Sequence, residues 1–368
     1  MKVDIAFILG SLQSGGAERV ASNLCNSWSE IDGVNVELVT GDLAENDFYK
    51  LSNNITRTSL KFNYRSKNKF SFVFEQFRRF FILYGFLRSR KSKVLVLSGT
   101  DISIRFLFSL LFFKNKVIVC EHNNYYAYKN RLKRVIRLIA FFRADKLFVL
   151  TDRDKKVYSK KNPFKRESTS VMVNPLTELP GQGVISNKTV SKPVKLLSVG
   201  RLVEQKGYDR LMSIVSNLKI DFQLTIIGEG NLKDEIQNLI NKYELSDRVQ
   251  LVGLVSNIED YYRDSDILLL TSYYEGLPMV LIEANSFSLP LISFDCPTGP
   301  RELIKNELNG FLVNDGNETE FIEKVELLAT DQVLYSQLAH NAYSMSLRFS
   351  LNNINNKWFE HIVELDNR

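Results

Sequence analysis

Two carboxylates eight residues apart, Glu275 and Glu283, open the chemistry of this 368-residue chain. The stretch 271–302 reads TSYYEGLPMVLIEANSFSLPLISFDCPTGPRE. It follows an apolar run at 267–270 that reads as a buried parallel strand. A short loop at 272–276 carries Glu275, and Pro278 suits the first turn of a helix, where its missing N–H costs nothing. Glu275 then precedes the helix, and Glu283 lies about one and a half turns inside it. A helix N-terminus presents unpaired N–H groups and a partial positive charge, a seat for phosphate. Carboxylates beside that seat accept hydrogen bonds from hydroxyls. Phosphate held by amides, with hydroxyls held by acids, describes the binding of a nucleotide sugar. On spacing alone a plainer alternative stands: a loop acid and a solvated helix residue in an ordinary strand–loop–helix unit.

Three other places carry candidate ligands. After an expected strand at 194–199 comes GRLVEQKG, with Arg201 and Lys206 on a strand-to-helix loop. A forked guanidinium and a point-charge ammonium suit a diphosphate, although two surface cations would read the same way. After an expected strand at 3–9 comes GSLQSGGAER, whose Gly15 and Gly16 let backbone approach a phosphate or a substrate. The spacing is not GxGxxG, which argues against a dinucleotide. A tight turn that needs glycine only for its backbone is the alternative. His122, in EHNN, follows an expected strand at 117–120, where α/β folds place ligand contacts. A hydrogen-bonded structural histidine is the alternative there.

The form EGLPMVLIE, followed by a strand and GPRE, resembles family 4 of the retaining glycosyltransferases, which have the GT-B fold. The resemblance covers almost the whole chain. It implies that Glu275 contacts hydroxyls of the transferred sugar and Glu283 the ribose. It implies that the amides around Leu277, Pro278, Met279 and Val280 face the sugar and diphosphate. GRL…KG resembles the family's diphosphate-binding pair, so Arg201 and Lys206 would stabilise charge on the departing diphosphate. The GGAE turn at Gly15 and Gly16 would line a cleft between domains, and His122 would face the sugar. Gly253 and Val255 fall where the family's backbone meets the nucleotide base. Asn174-Pro175 resembles the end of the family's first domain. Asp264 and Asp266 match Asp-x-Asp, the metal motif of the other large glycosyltransferase fold. Here they precede the strand at 267–270, where the resemblance puts them away from substrate. Asp152 and Asp154 fare no better, so neither a metal nor a cofactor is expected.

The elements that must position these residues fit an α/β chain of two doubly wound, Rossmann-like domains facing across a cleft. The length exceeds one ordinary core. The expected first domain covers 1–176 and the second 193–345, with a final helix at 346–368 that crosses back to the first. Residues 177–192 have linker composition, with Pro180, Gly181 and Gly183. The three cysteines have no paired spacing and the three histidines are scattered, which argues for a reducing compartment and against structural zinc. The opening MKVDIAFILG reads as a first strand and not as a signal peptide. No uninterrupted apolar run is long enough for a standard membrane-spanning helix.

Charge is unevenly spread. Residues 1–176 hold 31 Lys/Arg against 15 Asp/Glu, and the rest hold 17 against 27, so the halves carry +16 and −10. The basic half should meet something negative. Residues 61–93 combine many phenylalanines with a basic rim, and 129–143 read as a second basic amphipathic helix. Such helices can lie in an anionic membrane surface, or pack on their own sheet with a solvated basic face.

These readings converge on a retaining, metal-independent glycosyltransferase at the cytoplasmic face of the membrane. It would move a hexose or N-acetylhexosamine from a UDP-sugar to a lipid-linked saccharide during surface glycan assembly. DCPTGPRE is most similar to bacterial enzymes of that kind. A non-hydrolysing sugar-nucleotide epimerase shares the fold and needs no acceptor. A basic nucleic-acid-binding protein is the third reading, with aromatics stacking on bases. The aromatics here are mostly Phe in apolar runs, which disfavours nucleic acid.

Overall fold

Short runs such as VDIAFIL, apolar but for Asp4, and ILLL, apolar throughout, have this composition because each becomes a strand covered by helices on both faces. A computed structural model of the chain describes residues 3–13, 15–42, 47–61, 69–89, 94–110, 112–122, 125, 131–161, 168–176 and 188–367. The chain divides into two units. One comprises Met1–Thr177 with Leu351–Arg368, and the other Glu178–Ser350. Of the expected linker, 177–187 lies outside the described residues, as do Asn123 and Asn124 of the EHNN segment.

The first unit holds strands β1 (Val3–Leu9), β2 (Val34–Thr40), β3 (Thr56–Ser59), β4 (Val94–Ser98), β5 (Lys116–Glu121), β6 (Lys146–Val149) and β7 (Thr169–Val171). They form one sheet in the order β3-β2-β1-β4-β5-β6-β7, every described pair parallel. Its helices are α1 (Gly16–Ser29), α2 (Lys69–Ser89), α3 (Thr100–Leu110), α4 (Arg131–Phe142) and α5 (Asp152–Lys161). Helix α1 buries Val20, Ala21, Leu24, Cys25 and Trp28, the spacing of one helical face. On that side of the sheet Trp28 meets Trp358 edge-on at 5.4 Å, which docks the last helix of the chain, α13 (Leu351–Asp366). The opposite side takes Leu83, Phe86 and Leu87 of α2, Ile102, Phe106 and Leu110 of α3, and Phe141 of α4.

The second unit holds β8 (Val194–Val199), β9 (Phe222–Ile227), β10 (Val249–Gly253), β11 (Ile267–Leu270), β12 (Leu291–Phe294) and β13 (Gly310–Val313). Their order is β10-β9-β8-β11-β12-β13, again parallel. The helices are α6 (Tyr208–Ser216), α7 (Lys233–Lys242), α8 (Ile258–Asp264), α9 (Met279–Ser286), α10 (Pro300–Leu303), α11 (Glu318–Thr330) and α12 (Gln332–Ser346). Helix α11 starts where the Asn317 side chain accepts from the Glu320 N–H, and α12 where Asp331 accepts from Leu334.

Several details depart from expectation. β3 (TRTS) is a polar edge strand with no apolar signal. Pro278 sits one residue before α9 in extended conformation, so the first helical residue is Met279. The basic residues expected on the 129–143 helix do not all face solvent. Arg137 is fully buried, and Arg143 donates to the carbonyls of Leu110, Phe113 and Asn115.

Candidate functional site

Each sheet reverses its winding once, and ligands of open α/β sheets bind at that reversal, beyond the C-terminal ends of the strands. In the second unit the reversal falls between β8 and β11. The loop after β8 carries Gly200, Arg201 and Lys206, and the loop after β11 carries Glu275. In the sequence both loops stand out by their residue types together with the family resemblance. The strand order makes them neighbours.

They are tied together by backbone. The Tyr273 N–H donates to the Gln205 carbonyl at 2.8 Å, and the Gln205 amide donates to the Tyr274 carbonyl at 2.9 Å. Thr271 Oγ1 donates to the Gly207 carbonyl at 2.9 Å. Gly207 has φ +64°, and a Cβ there would stand 2.3 Å from the Thr271 carbonyl oxygen, so only glycine permits this approach. Within this frame Lys206 Nζ donates to Glu275 Oε1 at 2.6 Å, and Ser272 Oγ donates to the same oxygen at 2.7 Å. The loop after β12 closes the third side. The Glu275 N–H donates to the Pro297 carbonyl at 2.7 Å, and the Thr298 N–H donates back to the Glu275 carbonyl at 3.0 Å. A Cβ on Gly299 would lie 2.2 Å from the Gly276 carbonyl oxygen, so these two loops also pack backbone to backbone. Burial, with Glu275 nearby, pushes the Cys296 thiol well above its ordinary range, so Cys296 is a neutral wall of this pocket.

Glu275 is thus a buried carboxylate, 6% exposed, held by an ammonium and a hydroxyl. Arg201 is exposed, and among the described residues no ion pair or hydrogen bond engages its guanidinium. The N-terminus of α9 has no side-chain cap, because Pro278 has none to offer. Leu277 and Pro278 are buried while Met279 and Val280 are half-buried. Glu283 lies on α9 and accepts a hydrogen bond from Tyr262 Oη at 2.7 Å. Tyr262 comes from α8 and stacks on Phe287, ring centroids 5.6 Å apart. Tyr262 was not singled out in the sequence. Its only signal there is an aromatic residue in the helix before Asp264. Gly253 ends β10 with φ +84°, its carbonyl accepting from the Gly228 N–H, and Val255 follows half-buried in the next loop.

Asp295, also after β12, takes a forked contact from Arg301. Asp266 sits at the opposite end of β11. It accepts from the N–H groups of Lys195 at 2.8 Å and Ser191 at 3.2 Å, which ties the approach to β8 onto the sheet. Asp154 accepts from the Tyr125 N–H and Thr151 Oγ1. Among the described residues, no group of three or more His, Cys, Asp or Glu is placed to hold a metal ion.

In the first unit the reversal falls between β1 and β4. Gly15 precedes α1, and its carbonyl accepts from Tyr49 Oη at 2.9 Å. A Cβ on Gly15 would stand 2.2 Å from the Glu18 carboxylate, which folds back over the turn, whereas Gly16 has open space. His122 follows β5, and its Nε2 is 2.9 Å from Ser98 Oγ at the end of β4. Its Nδ1 is buried with no partner among the described residues. Burial lowers the imidazole to about 4, so it is neutral at physiological pH. A buried polar cluster anchors this segment. Thr100 Oγ1 donates to Glu121. Arg137 lies 3.8 Å from Glu121, donates to the Tyr125 carbonyl at 2.5 Å, and stacks over the rings of Tyr125 and Tyr158.

Two doubly wound units, with a Lys–Glu pair at the reversal of the second, define a protein of the GT-B class. A family model described as glycosyl transferases group 1 matches residues 185–345. The amylovoran biosynthesis glycosyltransferase AmsD of Erwinia amylovora is 30% identical over 357 residues, covering 96% of this chain and 97% of that protein. An α-1,4-N-acetyl-D-galactosaminyltransferase of Campylobacter jejuni, whose name specifies a diphospho-undecaprenol-linked saccharide, is 28% identical over 368 residues, 99% of each chain. Among solved structures, the lipopolysaccharide outer core galactosyltransferase WaaB matches with TM-score 0.76 and 21% identity over 98% of this chain and 100% of that one. HepE of Anabaena, in complex with UDP and glucose, matches with TM-score 0.77 and 16% identity over 98% and 100%. The chain belongs to the group 1 glycosyltransferases, and its relatives include enzymes of bacterial polysaccharide and lipopolysaccharide assembly.

Proposed function

We propose that the chain moves a hexose or N-acetylhexosamine from a UDP-sugar to a lipid-linked saccharide during surface glycan assembly at the cytoplasmic membrane face, with retention of configuration and without a metal ion. The observation that carries this reading is the Lys206–Glu275 pair at the β8/β11 reversal, beside the uncapped start of α9. That is an anion seat and a hydroxyl acceptor side by side. HepE was solved with UDP, and the Campylobacter jejuni relative is named for a diphospho-undecaprenol-linked substrate, which supports both halves of the reading.

In this reading Arg201 and Lys206 grip the diphosphate, and Lys206 leaves Glu275 as the donor enters. Glu275 exchanges the ammonium for a sugar hydroxyl. Glu283, oriented by Tyr262, accepts from the ribose, and the backbone around Gly253 and Val255 faces the base. The amides of Met279 and Val280 supply further positive potential. Neutral His122 hydrogen-bonds a substrate hydroxyl, and the Gly15–Gly16 turn leaves its backbone open to substrate. The acceptor hydroxyl oxygen bonds the anomeric carbon as the bond from that carbon to the diphosphate breaks, and the hydroxyl proton passes to a diphosphate oxygen. Catalysis is then positioning and charge stabilisation.

A thermal-shift screen of UDP, GDP and ADP with a chelator present tests the reading. A ligand at about 100 times its dissociation constant stabilises by about 2.7 kcal/mol. A shift with UDP under chelation is the expected result. A shift that requires a divalent ion, or one confined to GDP or ADP, contradicts it.

A further inference from the structure

Helices α2, α3 and α4 form one layer on one side of the first sheet, and their inner faces enter the same core. Their outer side is unusually apolar. Phe77 and Phe81 of α2, Phe112 just after α3, and Val135, Ile139 and Phe142 of α4 are each more than half exposed. The spacing 77/81 and 135/139/142 puts each set on one helical stripe. Phe112 joins the stripes through the aromatic cluster on α2. Its ring lies 6.1 Å from both Phe80 and Tyr84. Monomeric proteins rarely leave so many large apolar side chains together on one surface without a partner.

The charge around them says what that partner is. Residues 61–143 contain 19 Lys/Arg and 3 Asp/Glu. Arg88 and Lys114 are exposed on this layer, and Arg78, Arg79 and Arg134 are half-buried along it. A second copy of the chain would bring two such basic faces together, which opposes self-association. Nucleic acid would favour stacking aromatics lining a groove, whereas these are phenylalanines and aliphatics exposed on helices. Apolar side chains projecting through a basic rim match the boundary between anionic headgroups and acyl chains. We propose that the outer face of α2, α3 and α4 is a docking surface for an anionic lipid bilayer, with Phe77, Phe81, Phe112, Ile139 and Phe142 as the inserting side chains. Among the described residues no helix is long and apolar enough to cross a membrane, so docking here is interfacial.

The layer also has a structural reason to stay ordered while it docks. Arg143, between α4 and β6, ties this segment to the carbonyls of Leu110, Phe113 and Asn115 at and after the end of α3, and Arg137 pins α4 to Tyr125 and Glu121. Those two cations serve the fold.

The test is sedimentation of the full chain with vesicles of phosphatidylcholine alone and of phosphatidylcholine mixed with phosphatidylglycerol. Wild-type protein should pellet with the anionic vesicles, less so as salt is raised, and hardly at all with the neutral ones. Replacing Phe77, Phe81, Phe112 and Phe142 by Ser removes exposed side chains only, so the fold should survive, as circular dichroism would show. Anionic vesicle binding should then fall by about tenfold or more. Equal binding by wild type and variant overturns the proposal. So does wild-type protein that ignores anionic vesicles, whether it dimerises through this face or instead binds RNA. Vesicle binding is read without donor or acceptor, so its failure leaves the donor site standing, and a failed donor site leaves this surface standing.

Discussion

Lys206 and Glu275 lie 69 residues apart in sequence, and their side chains meet at 2.6 Å across two loops of the second unit. Neither loop alone makes a site. The order β9-β8-β11-β12 makes the two loops adjacent, and the Gly207–Thr271 contact sets their separation.

The two cations of the β8 loop should separate by mutation. Lys206 is largely buried and paired, so Lys206→Ala should lower stability by about 2 kcal/mol, less than a fully buried pair because the site is partly open. It should also weaken UDP by about tenfold or more. Arg201 is exposed, so Arg201→Ala should leave stability within about 0.5 kcal/mol while still weakening UDP. Urea melts and UDP titrations of both variants check this. Equal stability loss in both would contradict the assignment.

Gly207→Ala should be among the costliest single-methyl changes in the second unit. The new Cβ would meet the Thr271 carbonyl from a positive-φ backbone. A loss of about 2 kcal/mol or more is expected by urea melt, together with weaker UDP binding, because the loops must part. Gly16→Ala meets open space and should cost far less.

Tyr262 orients Glu283, so Tyr262→Phe should act on nucleotide affinity through one lost hydrogen bond, worth about 0.5–1.5 kcal/mol or roughly threefold to tenfold in Kd. The ring stacked on Phe287 remains. If Glu283 meets the ribose, UDP should lose more affinity than inorganic diphosphate does. An equal loss for both would place Glu283 elsewhere.

His122 predicts a pH dependence. The folded chain refuses a proton until about pH 4, whereas the unfolded chain accepts one near pH 6.5. Stability contributed by the neutral imidazole is therefore complete above about pH 6.5, falls as the pH drops through that window, and levels off below about pH 4. His122→Gln should show a shallower acid slope than wild type in thermal melts between these limits. Identical slopes would show that His122 is not the buried neutral group described.

Much of the fold was legible in sequence. Fully buried parallel strands are continuous apolar runs, and Ile267–Leu270 needs no alternation to be recognised. The β8 and β11 loops were legible because GRL…KG and EGLPMVLIE resemble family motifs; their residue types alone left a structural reading open. β3 was not, since TRTS at a sheet edge buries little. Arg137 was hidden for a different reason. A run such as RLKRVIRLIAFF reads as a basic surface helix, and only tertiary packing shows that one arginine turns inward to Glu121 and Tyr125. Tyr262 escaped because a hydrogen bond between α8 and α9 leaves no periodic trace.

The most direct test of the central claim is release of UDP from a UDP-sugar, in the presence of chelator and a lipid-linked saccharide, by wild type and by Glu275→Gln. The wild type should turn over, and the variant should lose at least about a hundredfold in kcat/KM, the size expected when a preorganised polar contact to the reacting sugar is removed. UDP itself should bind both nearly equally. Turnover by Glu275→Gln within a few-fold of wild type would contradict the account.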